Sequence, residues 1–189
     1  MPRSWPLVDL PLPTRVFIGL GANLGNGLVS LARARDRVGS LEGIVCGRLS
    51  SPFRSMPKDM DSTRKFINAV GELFTGLGPE AVLSGLLAVE KEWGRVRSPG
   101  DRYQDRPLDL DILFYGERIF RTRELSVPHP RCPARLFVLA PLAELAPEFR
   151  HPVSGHTVAQ LLDRHLATDA GRAEEQGLEK LAWPRLRTV

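Results

Sequence analysis

Two acidic residues, Asp109 and Asp111, interrupt an apolar strand pattern, and this pair constrains the chain more than any other feature. In a β-strand, residues i and i+2 point to the same face, so the two carboxylates would lie side by side while Leu108, Leu110 and Ile112 face the opposite way. Two like charges on a strand built for burial are unfavourable unless a cation lies between them, and oxygen ligands favour Mg²⁺. The spacing alone leaves an equally good alternative, in which both acids lie on a solvated face and pair with nearby arginines.

The composition is that of an ordinary globular protein with a basic surplus. The chain has 189 residues, enough for one domain with a full core, and 42% of its residues are hydrophobic and 25% charged. The net charge is +4 and nearly all basic residues are arginine, which permits a nucleic-acid partner without requiring one. No segment approaches the length of a membrane span, and the proline-rich N-terminus lacks the apolar core of a signal peptide. These features predict a cytoplasmic protein without a membrane partner.

The two cysteines, Cys46 and Cys132, form no CxxC pair and do not have the spacing of a zinc site. One disulfide and two reduced thiols both fit the sequence, and reduced thiols are the simpler interpretation.

The order of apolar patterns predicts an α+β fold. The predicted elements are a strand at 15–21, a helix at 28–38, strands at 44–53 and 66–74, a helix at 79–93 and then the acidic strand. This order is the βαββαβ pattern of a ferredoxin-like domain. To this core, residues 119–125 add a hairpin arm that extends the sheet, and residues 131–142 and 157–166 add helices.

We therefore predict a single domain over residues 1–189, with its core at about 15–166. Residues 1–13 would form an arm and residues 168–189 a loose, charged extension. The turn at 22–27 lacks the lysine of a P-loop and the spacing of GxGxxG, which favours a tight strand-to-helix connection over a phosphate cradle.

Four arginines lie in the loop that leads into the acidic strand. Cations beside a carboxylate pair suggest that a polyphosphate binds between them, although such a run of charges is also typical of a solvated basic surface. The four residues are Arg95, Arg97, Arg102 and Arg106.

The segment Arg106–Leu113 resembles the R-x-L-D-L-D-I signature of the 6-hydroxymethyl-7,8-dihydropterin pyrophosphokinase family. Other family motifs follow the same order between about residues 15 and 152, and together they are highly specific. They are Phe17–Gly25, Phe66–Val70, Glu90 with Gly94-Arg95, Val127–Pro130 and Arg135–Leu142.

The resemblance implies transfer of pyrophosphate from ATP to a hydroxymethyl pterin in folate synthesis, with AMP leaving. It implies that Asp109 and Asp111 bind two Mg²⁺ ions that bridge the ATP phosphates. Arg95 and Arg106 would act with them as catalytic residues that hold phosphate. The implied ATP-binding residues are Glu90, Arg106, Ile112, His129 and Arg135. For Glu90 and His129, purely structural roles remain open.

The resemblance also implies a pterin site. Phe66 and Phe137 would stack on the ring, although packing in the core is an alternative for both, and Asn68 would read the amide-like edge. Tyr103 would cover the site when the arginine loop closes, and the backbone at Ser55, Met56 and Pro57 would complete the pocket. The two substrates, ATP and the pterin, are the expected partners of a chain that we predict to be a monomer.

The chain departs from the family pattern in a few places, and two rival functions remain. Ala22 replaces a usual serine and Tyr103 a frequent tryptophan, while Ser98 and Glu124 stand where basic residues are common. One rival is a ferredoxin-like RNA-binding module, which needs exposed aromatic residues on its central strands instead of paired acids. The other is a different Mg²⁺-dependent transferase on the same fold.

Overall fold

The structure is built around a six-stranded antiparallel sheet. The computed structural model describes residues 13–58, 62–95 and 104–184. The predicted arm at 1–13 lies almost wholly outside these residues, as do Arg97, Ser98, Arg102 and Tyr103.

The elements follow the predicted order. They are β1 (Thr14–Ala22), α1 (Gly27–Gly39), β2 (Ile44–Leu49), β3 (Phe53–Ser55), β4 (Phe66–Thr75), α2 (Pro79–Glu92), β5 (Asp109–Tyr115), β6 (Phe120–Arg121), β7 (Ser126–Val127), α3 (Leu136–Leu145), α4 (Val158–Leu166), α5 (Asp169–Gln176) and β8 (Glu179–Lys180). A short 3₁₀ helix, Cys132–Ala134, precedes α3.

The strand order confirms the ferredoxin-like fold. In the main sheet the strands run β5-β1-β4-β3-β8, and β2 pairs with β4 beside β3. Strand β1 lies between β4 and β5 and is antiparallel to both. The acidic strand β5 is therefore held directly against the first strand of the chain, with Asp109 opposite Gly21, 88 positions earlier in the sequence.

Apolar side chains cover both faces of the sheet. One cluster joins one face to α1 and α2 and contains Leu108, Leu110 and Ile112. The other joins the opposite face to α3 and α4 and contains Phe17, Leu113 and Phe114. From Leu108 to Ile112 the side chains of β5 alternate as the sequence predicts, and an irregularity in the pairing at Leu113 then places Leu113 and Phe114 in the same cluster.

Three predictions about the outer elements are wrong in detail. The strand predicted at 44–53 is interrupted, because Pro52 has no amide hydrogen to donate, and it forms the separate strands β2 and β3. The hairpin at 119–125 does not extend the main sheet, since β6 and β7 pair only with each other as a two-stranded sheet.

The third wrong prediction is that the chain after residue 168 forms a loose extension. This segment forms α5 and then β8, which pairs with β3 at Phe53 opposite Lys180. Trp183 packs at the edge of the first apolar cluster, and its Nε1 donates to Ser50 O at 2.9 Å. The chain therefore closes the edge of the sheet beside β3.

Both cysteines are free thiols, as the simpler interpretation predicts. Within the described ranges, no helix is both long and apolar enough to cross a membrane.

Candidate active site

Two glycines open a trough in the middle of the sheet. Gly21 lies opposite Asn68 on β4 and Asp109 on β5, and Gly19 lies opposite Asp111. A Cβ atom at Gly21 would be 3.4 Å from Asn68 Oδ1 and 3.7 Å from Asp109 Cβ, so a side chain there would occupy the space between the amide and the carboxylate. The trough exists because β1 carries no side chains where its neighbours carry polar ones.

The trough is the floor of a cleft that brings together most of the predicted site. Its walls combine the central strands, the segment after β7 and the first turn of α3. The predicted residues that line it are Asn68, Asp109, Asp111, His129, Arg135 and Phe137.

Asp109 is held by two arginines from different parts of the chain. Its Oδ1 pairs with Arg95 Nη1, and its Oδ2 accepts from Arg106 Nη1 at 2.8 Å. The side chains of Arg95 and Arg106 are 16% and 19% exposed, so these pairs are shielded from solvent screening. Charge-assisted bonds from both sides fix the orientation of this carboxylate.

Asp111 lies on the same face two residues later, but its surroundings differ from those of Asp109. It has no hydrogen-bond or ion-pair partner within the described ranges. Burial, together with the nearby carboxylates of Asp109 and Glu90, raises the pKa of Asp111 to about 6. A carboxyl group that is destabilised in its charged form has a strong affinity for a cation that enters the trough.

Glu90 lies beneath the strand instead of in the cleft. It is 1% exposed, its Oε1 accepts from Leu110 N at 2.8 Å, and it pairs with Arg95. Glu90 thus joins α2 to β5 and does not act as a cap of its own helix. A contact with nucleotide stays a prediction for this residue.

Ile112 also points away from the cleft. Its side chain is 3% exposed and belongs to the apolar cluster under α1 and α2. A contact of Ile112 with a nucleotide would therefore have to come from its backbone.

His129 and Arg135 enter the cleft from the side of α3. The amide of His129 donates to Leu113 O at 2.9 Å, which ties this segment to β5. Burial and the positive charges of Arg135 and Arg131 lower the pKa of His129 to about 4. His129 is therefore neutral at pH 7 and can bind an anion by hydrogen bonding but not by charge.

Of the predicted pterin residues, Asn68 and Phe137 line the trough, and Asn68 lies across Gly21 from Asp109. Asn68 is 7% exposed, and its Nδ2 donates to Ser55 Oγ at 3.0 Å, which leaves Oδ1 facing the trough beside Gly21. Phe66 lies two residues before Asn68 and so shares its face of β4. Met56 and Pro57 do not line the trough; they line an adjoining cavity that shares Phe137 with it.

The sequence interpretation missed a network that positions Arg106. Asn23 Oδ1 accepts from Arg106 N at 2.7 Å, and Asn23 Nδ2 donates to Asp105 Oδ1 at 2.5 Å. Ser62 Oγ also donates to Asp105, at 2.7 Å, and these bonds lower the pKa of the Asp105 carboxyl. The only signal in the sequence was an asparagine in a glycine-rich turn.

The turn at 22–27 forms the tight connection between β1 and α1 that the sequence predicts. Asn26 is the N-cap of α1, and its side chain accepts from Val29 N at 3.3 Å. Gly25 adopts a φ of 65°, a left-handed conformation that glycine tolerates best.

The donor set of the trough suits Mg²⁺ that is shared with a ligand. Within residues 13–58, 62–95 and 104–184, no group of three or more His, Cys, Asp or Glu side chains could hold a metal ion. Two carboxylates on one face are too few to enclose an ion, but Mg²⁺ in nucleotide sites typically takes one or two carboxylates and completes its shell with phosphate and water.

The chain is similar to proteins of one known family. Residues 17–147 match the family described as 7,8-dihydro-6-hydroxymethylpterin-pyrophosphokinase (HPPK). The chain is 39% identical over 150 residues to a protein of Synechocystis named 2-amino-4-hydroxy-6-hydroxymethyldihydropteridine pyrophosphokinase, covering 78% of this chain and 74% of that one. It is 39% identical over 142 residues to a Pseudomonas aeruginosa protein of the same name, covering 75% of this chain and 86% of the relative.

Solved structures support the fold. The crystal structure of wild-type Plasmodium falciparum HPPK-DHPS with pterin and p-hydroxybenzoate superimposes with a TM-score of 0.68 at 14% identity. The match covers 89% of this chain and 46% of that one, so this chain spans less than half of the solved protein. The match to the family description and the two bacterial relatives establish that this chain belongs to the 7,8-dihydro-6-hydroxymethylpterin-pyrophosphokinase family.

Proposed function

We propose that the protein transfers pyrophosphate from ATP to the hydroxymethyl group of 6-hydroxymethyl-7,8-dihydropterin, a step of folate biosynthesis, and that it requires two Mg²⁺ ions. The observation that carries this proposal is the trough, where Asp109 and Asp111 lie on the strand next to Gly21 and Asn68 on the strand beyond it. This arrangement would offer carboxylate ligands for a cation and an amide group for the pterin edge within one cleft. Family membership supports the same reaction.

Asp109 and Asp111 would hold the two ions. When bound, the ions would supply neutralisation of the charge on the ATP phosphates. The raised pKa of Asp111 supports this role, because a cation would stabilise the charged form that burial and the neighbouring carboxylates disfavour.

The phosphate-binding side chains would surround these acids. Arg95 and Arg106 already lie at Asp109 and can turn to phosphate oxygens from there. Arg135 would add a third positive charge, and neutral His129 a hydrogen bond. Glu90 and the backbone of Ile112 are the remaining candidates for contact with the nucleotide.

The pterin would bind at the Asn68 end of the cleft. Asn68 Oδ1 can accept from the N–H groups of the pterin edge, and Phe66 and Phe137 offer stacking faces. Ser55, which holds the Asn68 amide, together with Met56 and Pro57 would close the far side. Tyr103 would cover the ring, but it lies outside the described residues.

The reaction needs little covalent chemistry from the protein. The hydroxymethyl oxygen attacks the β-phosphorus of ATP, a new O–P bond forms, the bond from the β-phosphorus to the α-phosphate breaks, and the hydroxyl proton is released. Positioning of the two substrates and neutralisation of developing charge would supply the rate enhancement. We further propose that the chain acts as a single-domain monomer in the cytoplasm.

The two rival functions are less well supported. The centre of the sheet presents acids that would repel a nucleic-acid backbone, which disfavours an RNA-binding module. The buried Asn68 beside the trough and the match to the family disfavour another Mg²⁺-dependent transferase.

The test is AMP formation from ATP by the purified protein. We expect AMP only when Mg²⁺ and 6-hydroxymethyl-7,8-dihydropterin are both present, and none when EDTA is added. The matched control is 6-methyl-7,8-dihydropterin, which lacks the attacking hydroxyl and should give no AMP. Absence of AMP with the complete mixture, or equal AMP with the 6-methyl compound, would contradict the proposal.

A further inference from the structure

The C-terminal segment, residues 169–180, forms one wall of the cavity next to the trough. The cavity has a volume of about 220 Å³. Four of its lining residues belong to the proposed pterin site, namely Ser55, Met56, Pro57 and Phe137, whereas Ala173, Glu174, Gly177 and Leu178 come from the C-terminal segment. The proposed pterin wall is therefore completed by a part of the chain that the family match, residues 17–147, does not include.

The segment is fixed in place by its backbone. Strand β8 pairs with β3, the strand that ends at Ser55. Just beyond β8, Leu181 N donates to Pro52 O at 2.8 Å. These bonds hold α5 against the loop that follows β3.

One carboxylate of α5 connects the two sides of the cavity. Glu174 Oε2 accepts from Leu136 N at 2.9 Å, in the first turn of α3 and one residue before Phe137. Its Oε1 pairs with Lys58 Nζ, and Lys58 also donates to Ala134 O at 2.7 Å. Glu174 therefore links the loop after Pro57 to the start of the helix that carries Phe137.

The environment of Glu174 favours this arrangement. Its side chain is 20% exposed and that of Lys58 30%, so solvent screens the pair only partly. Burial acts to raise the pKa of the Glu174 carboxyl, but the hydrogen bonds from Lys58 and the amide of Leu136 lower it below its ordinary value. His165 Nε2 lies 3.5 Å from Oε2, close enough for an ion pair when the imidazole is protonated, and it also acts to lower the pKa of Glu174.

Close packing at Gly177 brings the same segment against Met56. A Cβ atom at Gly177 would lie 3.2 Å from Met56 Cγ, closer than most side-chain contacts. The C-terminal segment thus touches the Met56 side of the cavity directly and the Phe137 side through Glu174.

We propose that Glu174 is a positioning residue for the pterin, which sets the separation between the loop at 55–58 and Phe137. This inference rests on the proposed function, since it assumes that the pterin binds against Phe137. Because Glu174 contacts Lys58 and the start of α3 but none of Asp109, Arg95 and Arg106, loss of Glu174 should raise the KM for the pterin more than the KM for ATP. Ordering of a binding wall before the ligand arrives improves affinity by removing the entropic penalty of ordering it on binding.

The test compares Glu174→Ala and Glu174→Gln with Glu175→Gln in steady-state assays of the full chain. Glu175 is the matched control, because it is the exposed neighbour of Glu174 on α5. We expect E174A to raise the KM for the pterin about tenfold while kcat and the KM for ATP stay within about twofold of the wild type. E174Q keeps an acceptor for Leu136 N and should restore part of the affinity, and E175Q should match the wild type.

The outcomes separate this inference from the proposed function. A wild-type protein that forms no pterin-dependent AMP overturns both. An active wild type with an unchanged KM for the pterin in E174A, or with equal rises in both KM values, overturns only the role of Glu174. If E174A does not fold by circular dichroism, E174Q and Lys58→Ala take its place, and an unchanged KM for the pterin in both likewise overturns the role.

Discussion

The acidic end of β5 and the wall around Phe137 are built in opposite ways. Asp109 and Asp111 are placed by strand register alone, since β5 pairs directly with β1 over Gly19 and Gly21. The wall around Phe137 is assembled from a loop, a helix start and the C-terminal segment, and side-chain contacts such as Glu174 with Lys58 connect them. The positions of the two acids are therefore fixed by the sheet, while the wall around Phe137 depends on a few long-range contacts.

A second contrast lies within the acidic strand. Asp109 is held by Arg95 and Arg106, whereas burial and the neighbouring carboxylates raise the pKa of Asp111. The two acids share a face of the strand, but Asp109 is paired with two cations while the charged form of Asp111 is disfavoured.

The largest expected effect is on activity. Asp109→Asn or Asp111→Asn keeps the shape of the side chain and removes the charge that would hold a metal ion, so we expect turnover to fall by about 10³-fold or more. Pterin-dependent AMP formation measures it, and circular dichroism verifies that both variants are folded. Retention of more than about a tenth of the wild-type rate in both variants would contradict the role of the pair.

The same two variants should have opposite effects on stability. The folded-state pKa of Asp111 is about 6, above its ordinary value of 3.8, so the folded state binds this proton more tightly than the unfolded state. The contribution of Asp111 to stability is therefore full below about pH 4 and is lost as the pH rises through about 6. At pH 7 without metal, Asp111→Asn should raise the free energy of unfolding by about 2 kcal/mol.

Asp109→Asn should instead lower the free energy of unfolding, by about 1–3 kcal/mol, because Arg95 and Arg106 lose a charged partner. Urea unfolding at pH 4, 5, 6 and 7 measures both variants. The stability gained by Asp111→Asn should be near zero at pH 4 and should grow with pH. A gain that does not depend on pH, or stability changes of the same sign in both variants, would contradict the proposed difference between Asp109 and Asp111.

A smaller effect is expected where the acidic strand meets the first turn. Asn23→Ala removes the acceptor for Arg106 N and the donor to Asp105, so Arg106 should be held less firmly and kcat should fall about tenfold. The KM for the pterin should stay unchanged, as measured by initial rates.

The matched control for this change is Asn26→Ala in the same turn. Asn26 caps α1 and, among the described residues, forms no hydrogen bond to residues 104–106, so its loss should lower stability by about 1 kcal/mol and leave kcat unchanged. Equal losses of kcat in the two variants would show that the turn acts only through the stability of the fold.

The sequence predicted the parts of the molecule that depend on local pattern. The period-2 alternation of β5 places Asp109 and Asp111 on one face, and the structure has this arrangement. The break of the second strand could also have been found, since Pro52 cannot donate within a sheet. The family resemblance, not the pattern, pointed to Asn68, because a single buried asparagine carries no periodic signal.

The contacts that were missed join residues far apart in the chain. The bond between Asn23 and Asp105 spans 82 positions, and a glycine-rich turn does not indicate which distant segment it will hold. The sequence after residue 168 is charged and weakly patterned, which predicts a loose segment. Its order comes from pairing with β3 and from Glu174, and neither is visible in local sequence.

The mass of the pterin product tests the central claim most directly. Wild-type protein incubated with ATP, Mg²⁺ and 6-hydroxymethyl-7,8-dihydropterin should yield the pterin diphosphate and AMP in equal amounts, as measured by mass spectrometry and nucleotide chromatography. A pterin monophosphate with ADP, or an unmodified pterin, would contradict the account.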